Sequence, residues 1–187
     1  MSLQHILLGL LARPSSGYQI KQEFNQSLRH FWFADLAQIY PTLHRMEKQG
    51  LVVSETRPSD KGPPQRIYTR TEDGRAELRE WLLNGPETGR ERFAYLAQVF
   101  FLADELGTPE VESFFEKLTA YFEQRVATLE AIEQHWVEAE NCQPGEFPDE
   151  EFYPWLTLSL GKVRNLATLD WCRQTLDDIR ARSPGKK

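Results

Sequence analysis

The chain opens on "SLQHILLGLLA", where Leu3, Ile6, Leu7, Leu10 and Leu11 recur at helical spacing on one face and Ser2 is placed as an N-cap. The spacing predicts a core-facing helix over residues 2–12. "RPSSG" reads as a loop, and "YQIKQEFNQSL" repeats the helical period through Ile20, Phe24 and Leu28. After a short aromatic stretch, His30 to Phe33, Asp35 is set to cap a third helix from Leu36 to Gln49, with Gly50 just past its end. The period then changes. "LVVSETR" and "QRIYTRT" are rich in Val, Ile, Thr and Tyr, and the "PSDKGPP" between them is turn chemistry too polar to bury, which predicts a hairpin with its tip near Lys61 to Pro64. Thr71 caps a fourth helix, "EDGRAELREWLL". Helices followed by such a hairpin predict a winged helix-turn-helix with a two-stranded wing, occupying residues 1–85.

The third helix divides sharply on a wheel. Leu36, Ile39, Leu43 and Met46 share one arc, and Gln38, Pro41, His44, Arg45 and Lys48 fall opposite. Pro41 deletes the hydrogen bond to the carbonyl of Ala37, a cost that a surface shaped to fit a groove can carry. Gln pairs bidentately with adenine, Arg with guanine, and an exposed proline ring can lie against a thymine methyl, so this face has the chemistry to read DNA in the major groove. Lys61 and Arg66, flanking the hairpin tip, are cations within reach of phosphates or the minor groove. Tyr18 and Gln19 are further candidates for backbone contacts. Tyr40 and Tyr68 read either as such contacts or as packing between the third helix and the wing.

Residues 86–187 follow another pattern. "GPETGR" is a linker, and "ERFAYLAQVFFLADEL" carries two apolar stripes, Phe93, Leu96, Phe100 and Ala103 on one and Tyr95, Val99, Leu102 and Leu106 on the other, so the helix needs covering on both sides. From Pro109 to Glu140 the repeat is near-heptad. Val111, Leu118, Arg125, Ile132 and Ala139 form one series, and Phe115, Phe122, Leu129 and Trp136 the other. A rod of this length is expected to outrun partners within its own half and to meet a second chain. Phe152 to Arg182 repeats the idea, after an exposed turn "NCQPGEFPDEEFYP". The half is expected to be an α-helical dimerisation domain, making the whole chain mostly α. Arg125 is the one charge in the seam; it can bind a ligand carboxylate, pair with a partner-chain Glu or snorkel to solvent. With Phe122 and Trp136 it makes a candidate effector site for a flat apolar molecule.

The net charge of −6 conceals an asymmetry: residues 1–85 carry 11 Lys/Arg against 9 Asp/Glu, and residues 86–187 carry 11 against 19. A nucleic-acid contact is set by the local field, so the acidic total does not exclude one. Cys142 and Cys172 suggest neither a disulfide framework nor a zinc site. His5, His30, His44 and His135 have no metal-ligand spacing, and neither a nucleophile elbow nor a phosphate-cradling glycine loop is present, so neither an enzyme nor a cofactor is expected. "ILLGLLA" lacks a basic leader and a cleavage site, and no run approaches a membrane span, which points to a cytoplasmic protein.

"LLGLLARPSSGYQI", "FW", "IYPTLHRMEKQGLV", "GPPQRIYTRTEDG" and the helix that follows resemble, in kind and order, the PadR-type transcriptional regulators over residues 3–85. The C-terminal half looks like the virulence-activator-type C-terminal domain. The resemblance implies a homodimeric DNA-binding protein, usually a repressor, often responsive to small aromatic or other hydrophobic molecules; because helix-turn-helix dimers bind half-sites about one helical turn apart, a palindromic operator is expected. The competing reading is a winged-helix adaptor that binds another protein and has no operator of its own.

Overall fold

Leu7, Leu8 and Leu11 are sealed from solvent, so α1 (Ser2–Leu10) and the turn ending it form the floor of the first core. Leu8 lies outside the stripe expected of this helix, while Leu3, Ile6 and Leu10 are only half-buried. The helix is covered from two directions, by α3 (Leu36–Lys48) and α4 (Glu72–Leu83), which widens its buried face. This computed structural model describes residues 2–28, 31–32, 34–59, 62–89 and 91–182, and falls into two compact units, Met1–Gly89 and Arg90–Lys187.

In the first unit, α2 (Gly17–Glu23) starts on a capping box: Ser16 Oγ accepts from the Gln19 amide at 3.2 Å, and Gln19 Oε1 accepts from the Ser16 amide at 2.7 Å. Gln19 is thereby used locally. The helix widens into a π turn, Phe24–Leu28, that keeps Phe24 in the core. Ser15–Ser16, expected as loop, form a short strand β1 beside the wing strands β2 (Val52–Ser59) and β3 (Gly62–Arg70). The sheet order is β1-β3-β2, all antiparallel, with Tyr68 of β3 opposite both Ser15 and Ser54. The wing strands also run further than the Pro-rich sequence suggests, to a Ser59–Gly62 pair. Pro58 falls where the ladder is irregular, between Arg57 and Ser59, and Pro63 and Pro64 lie beyond the last β1 pair, where β3 has a partner on one side only. Thr71 Oγ1 accepts from the Gly74 amide at 3.1 Å and so caps α4, whose Trp81 stacks on His5 of α1 at 4.7 Å.

The second unit holds α5 (Ala94–Glu105), α6 (Thr108–Glu140) and α7 (Asp149–Arg182). At 1.5 Å per residue the 33 residues of α6 span about 50 Å, but α7 has 34 and runs back along it, so α6 does not outrun its own chain. Ion pairs Glu133–Lys162, Glu123–Arg173 and Glu116–Arg180 fix this antiparallel register, with acids on α6 and bases on α7. Between them Phe122 and Val126 pack on Leu169 and Cys172. The turn is shorter than expected, because Asp149 to Pro154 are already helical, and Phe147 within it is buried. Helix α5 contributes no buried residue: Tyr95 packs edge-on against Phe122, but Phe100 is 81% and Phe101 58% exposed. Among the described residues no helix is long and apolar enough to cross a membrane.

Candidate nucleic-acid interface

Both ends of α3 are specified locally. At the start, Asp35 Oδ1 accepts from the Gln38 amide at 3.0 Å, and Gln38 Oε1 accepts from the Asp35 amide at 3.3 Å. At the end, Gly50 takes φ 75°, its amide donates to the Glu47 carbonyl at 3.0 Å, and the Leu51 amide reaches the Met46 carbonyl at 2.9 Å. This Schellman closure needs a residue free to adopt positive φ, which is why glycine ends the helix. The chain then turns directly into β2, so the wing's position relative to α3 is set from its root.

The buried face of α3 is Ile39, Thr42, Leu43 and Met46. Leu36 is 39% exposed instead of buried, since side chains lean toward the helix N-terminus and one in the first turn projects past the layer beneath. Thr42 takes a place in the core by donating its hydroxyl to the Gln38 carbonyl at 2.8 Å. On the opposite face Gln38, Tyr40, Pro41, His44, Arg45 and Lys48 are all exposed, as is Tyr18 at the start of α2. Arg45 and Lys48 have no side-chain hydrogen bond or ion pair among the described residues. Gln38 is partly committed, because its carbonyl oxygen closes the capping box while its amide group stays available. Tyr40 lies over Gly17, where a Cβ would come within 2.7 Å of the ring Cζ, so the absence of a side chain at Gly17 lets α2 and α3 approach. Tyr68 is buried packing, and burial raises its phenol above the ordinary value. Lys61 lies outside the described residues.

Arg66 is not a free cation. Its Nη2 donates to both carboxylate oxygens of Glu47, at 2.9 and 2.7 Å, its Nε donates to Ser54 Oγ at 2.7 Å, and Ser54 Oγ donates to Glu47 Oε1 at 2.6 Å. The Ser54 hydroxyl and Arg66 hold the Glu47 carboxyl below its ordinary range, against the opposing effect of desolvation. His44 Nδ1 stands 4.0 Å from Glu47 as well. Sequence reasoning missed Glu47 and Ser54. Glu47 sits between cations on the exposed side of α3, and only its spacing of one turn from His44 hinted at a role.

The candidate effector residues are not gathered into one site. Phe122 is core, and Arg125 is half-buried without a hydrogen bond or ion pair among the described residues. Trp136, eleven residues further on, lies about 16 Å along the axis. It donates its Nε1 proton to Glu151 at 2.7 Å and stacks on Phe147, in a separate aromatic cluster at the hairpin end.

Residues 6–80 match the model of the "Transcriptional regulator PadR-like family", and residues 91–180 match "Virulence activator alpha C-term". The chain is 27% identical over 178 residues to the negative transcriptional regulator PadR of Bacillus subtilis, covering 93% of this chain and 95% of that one. It is 41% identical over 76 residues to the transcriptional regulator Rv3488 of Mycobacterium tuberculosis, covering 41% of this chain and 67% of that one. Among solved structures, Bacillus subtilis PadR in complex with operator DNA superposes with a TM-score of 0.80 at 25% identity, covering 96% of this chain and 99% of that one. The same protein in complex with p-coumaric acid superposes at 0.77 and 24% identity, covering 96% and 99%. A winged helix with an exposed basic face on its third helix and a helical second unit, matched along nearly its whole length, leaves one assignment: the chain belongs to the PadR-like family of DNA-binding transcriptional regulators and carries a virulence-activator-type C-terminal domain.

Proposed function

We propose that the protein is a cytoplasmic homodimeric repressor that binds a two-fold symmetric operator and is released by a small aromatic or other hydrophobic effector. The exposed face of α3 carries this reading. Gln38, Tyr40, Pro41, His44, Arg45 and Lys48 meet base edges or flanking phosphates in the major groove, while Tyr18 and Lys61 add contacts to the backbone. Among the described residues Arg45 and Lys48 have no ion-pair partner, so DNA binding need not first break one there.

The self-association surface lies in the second unit. On the outer side of α7, Tyr153, Leu156, Leu160 and Val163 recur at three- and four-residue spacing, each 42% or more exposed. A stripe of this kind, together with the uncovered Phe100 and Phe101 of α5, is more apolar surface than a lone chain usually leaves to water. A second copy offers the matching stripe, and two copies present two recognition helices to half-sites about one helical turn apart. For the effector, the guanidinium of Arg125, without an ion pair among the described residues, is the candidate anion contact. The relative that binds p-coumaric acid makes an aromatic carboxylate the first ligand to try.

The direct test is fluorescence anisotropy on duplexes that the wild-type protein recovers from a randomised library. Arg45→Ala is expected to weaken specific binding by about 1 to 3 kcal/mol and to relax base preference at one position per half-site. A normally folded Arg45→Ala protein that binds like wild type, with unchanged preference, would show that α3 does not read the groove.

A further inference from the structure

The Glu47–Ser54–Arg66 network joins three elements, α3, β2 and β3, and places the one carboxylate on the recognition face against the one described wing cation nearest to it. Four hydrogen bonds of 2.6 to 2.9 Å close the network on itself. The Arg66 guanidinium also lies 5.5 Å from the ring centre of Tyr68, a residue buried in the first core, so the head has a ring as well as the carboxylate beside it. Turning the Nε and Nη2 groups of Arg66 onto a phosphate would leave Glu47 bare beside the groove.

We infer that Glu47 and Arg66 are positioning residues for DNA recognition: with Ser54 they form a strut that sets the distance and angle of the wing relative to α3, and Arg66 does not itself contact phosphate. The two charges neutralise each other, so the strut carries Glu47 into a polyanion's field without net repulsion. This rests on the DNA-binding reading above, but the strut also makes a prediction in the absence of DNA. Without it the hairpin is held to α3 mainly through its root at Val52 and Tyr68, and its outer half is freer to move.

The two roles available to Arg66 leave different signatures. Each phosphate neutralised by a cation adds about 0.9 to the slope of log affinity against log salt, whereas a strut adds nothing to it. The probe is a duplex recovered by the wild-type full-length chain from a randomised library, titrated at several salt concentrations with wild type, Glu47→Gln, Arg66→Met and the double variant. We expect all three variants to bind about three- to fivefold more weakly, the scale of a partly exposed ion pair. The double variant should be no weaker than either single one, and all should keep the wild-type salt slope. Hydrogen exchange without DNA should quicken in residues 52–70 of each variant and stay slow at Leu7 and Leu8. A slope reduced by about 0.9 in Arg66→Met, or tighter binding by Glu47→Gln, would make Arg66 a phosphate contact with Glu47 as its competitor and overturn the strut. So would unchanged hairpin exchange in Glu47→Gln. If the wild-type chain recovers no sequence, the operator reading fails instead, and the exchange experiment still decides the strut.

Discussion

Replacing Gly74 by alanine sets two physical effects against each other with opposite signs. Gly74 is the third residue of α4, and helix propensity alone makes alanine better there by up to about 1 kcal/mol. A Cβ at this position, however, would press into the Leu51 carbonyl oxygen and lie 3.0 Å from Leu8 Cδ2 and 3.1 Å from Arg70 Cγ. The oxygen cannot retreat freely, because it accepts the Thr71 amide at 3.1 Å, in the same corner where the Thr71 hydroxyl donates to the Gly50 carbonyl at 2.7 Å. Overpacking of this kind costs about 1 to 3 kcal/mol, and loosening a backbone hydrogen bond adds about 1. The net expectation is destabilisation by about 1 to 3 kcal/mol. Urea unfolding of the full chain at fixed protein concentration reads this as a lower midpoint with an unchanged slope. Gly9→Ala is the control: a Cβ there meets nothing within 4 Å, and the change should stabilise by about 0.5 to 1 kcal/mol. A Gly74→Ala protein as stable as the Gly9→Ala control would refute the claim that α4 is pressed against the exit of α3.

Three other outcomes follow from the geometry. The folded pKa of Glu47 is lowered, so the network's stabilisation is complete above the ordinary carboxylate value of 4.5 and is lost as pH falls through the lowered value. Hairpin amide protection, taken as exchange relative to the intrinsic rate at each pH, should therefore fall at acid pH in wild type and show little of that dependence in Glu47→Gln; parallel profiles would refute it. Leu160→Glu on the outer face of α7 removes about 1.5 to 3 kcal/mol of apolar burial per protomer and adds a charge, so light scattering should report monomers, and an intact dimer would move the interface elsewhere. Arg125→Met should leave dimer and DNA binding intact while abolishing release by phenolic acids; identical tryptophan quenching curves in wild type and variant would remove Arg125 from effector sensing.

Features decided by residues within a few positions of one another were legible in the sequence. Asp35 and Thr71 as N-caps, Gly50 as the helix stop, the split of α3 into a buried and an exposed face, and the switch to a hairpin all depend on hydrogen bonds or periodicities that span one or two turns. Where the reading stopped short, the deciding contact was distant. Ser15–Ser16 became a strand because Tyr68, more than fifty residues on, offered an open edge. The partners of Trp136, Glu151 and Phe147, come from beyond the hairpin turn and make its indole part of a separate cluster. The length of α6 suggests a partner chain, but α7 runs beside it for the same distance. Arg66 looked like a free cation near a turn and proved to be bound to Glu47, nineteen residues away. A long charged side chain costs little to reorient, so its partner is chosen by whichever opposite charge the assembled backbone brings within reach, and only the tertiary structure places that charge.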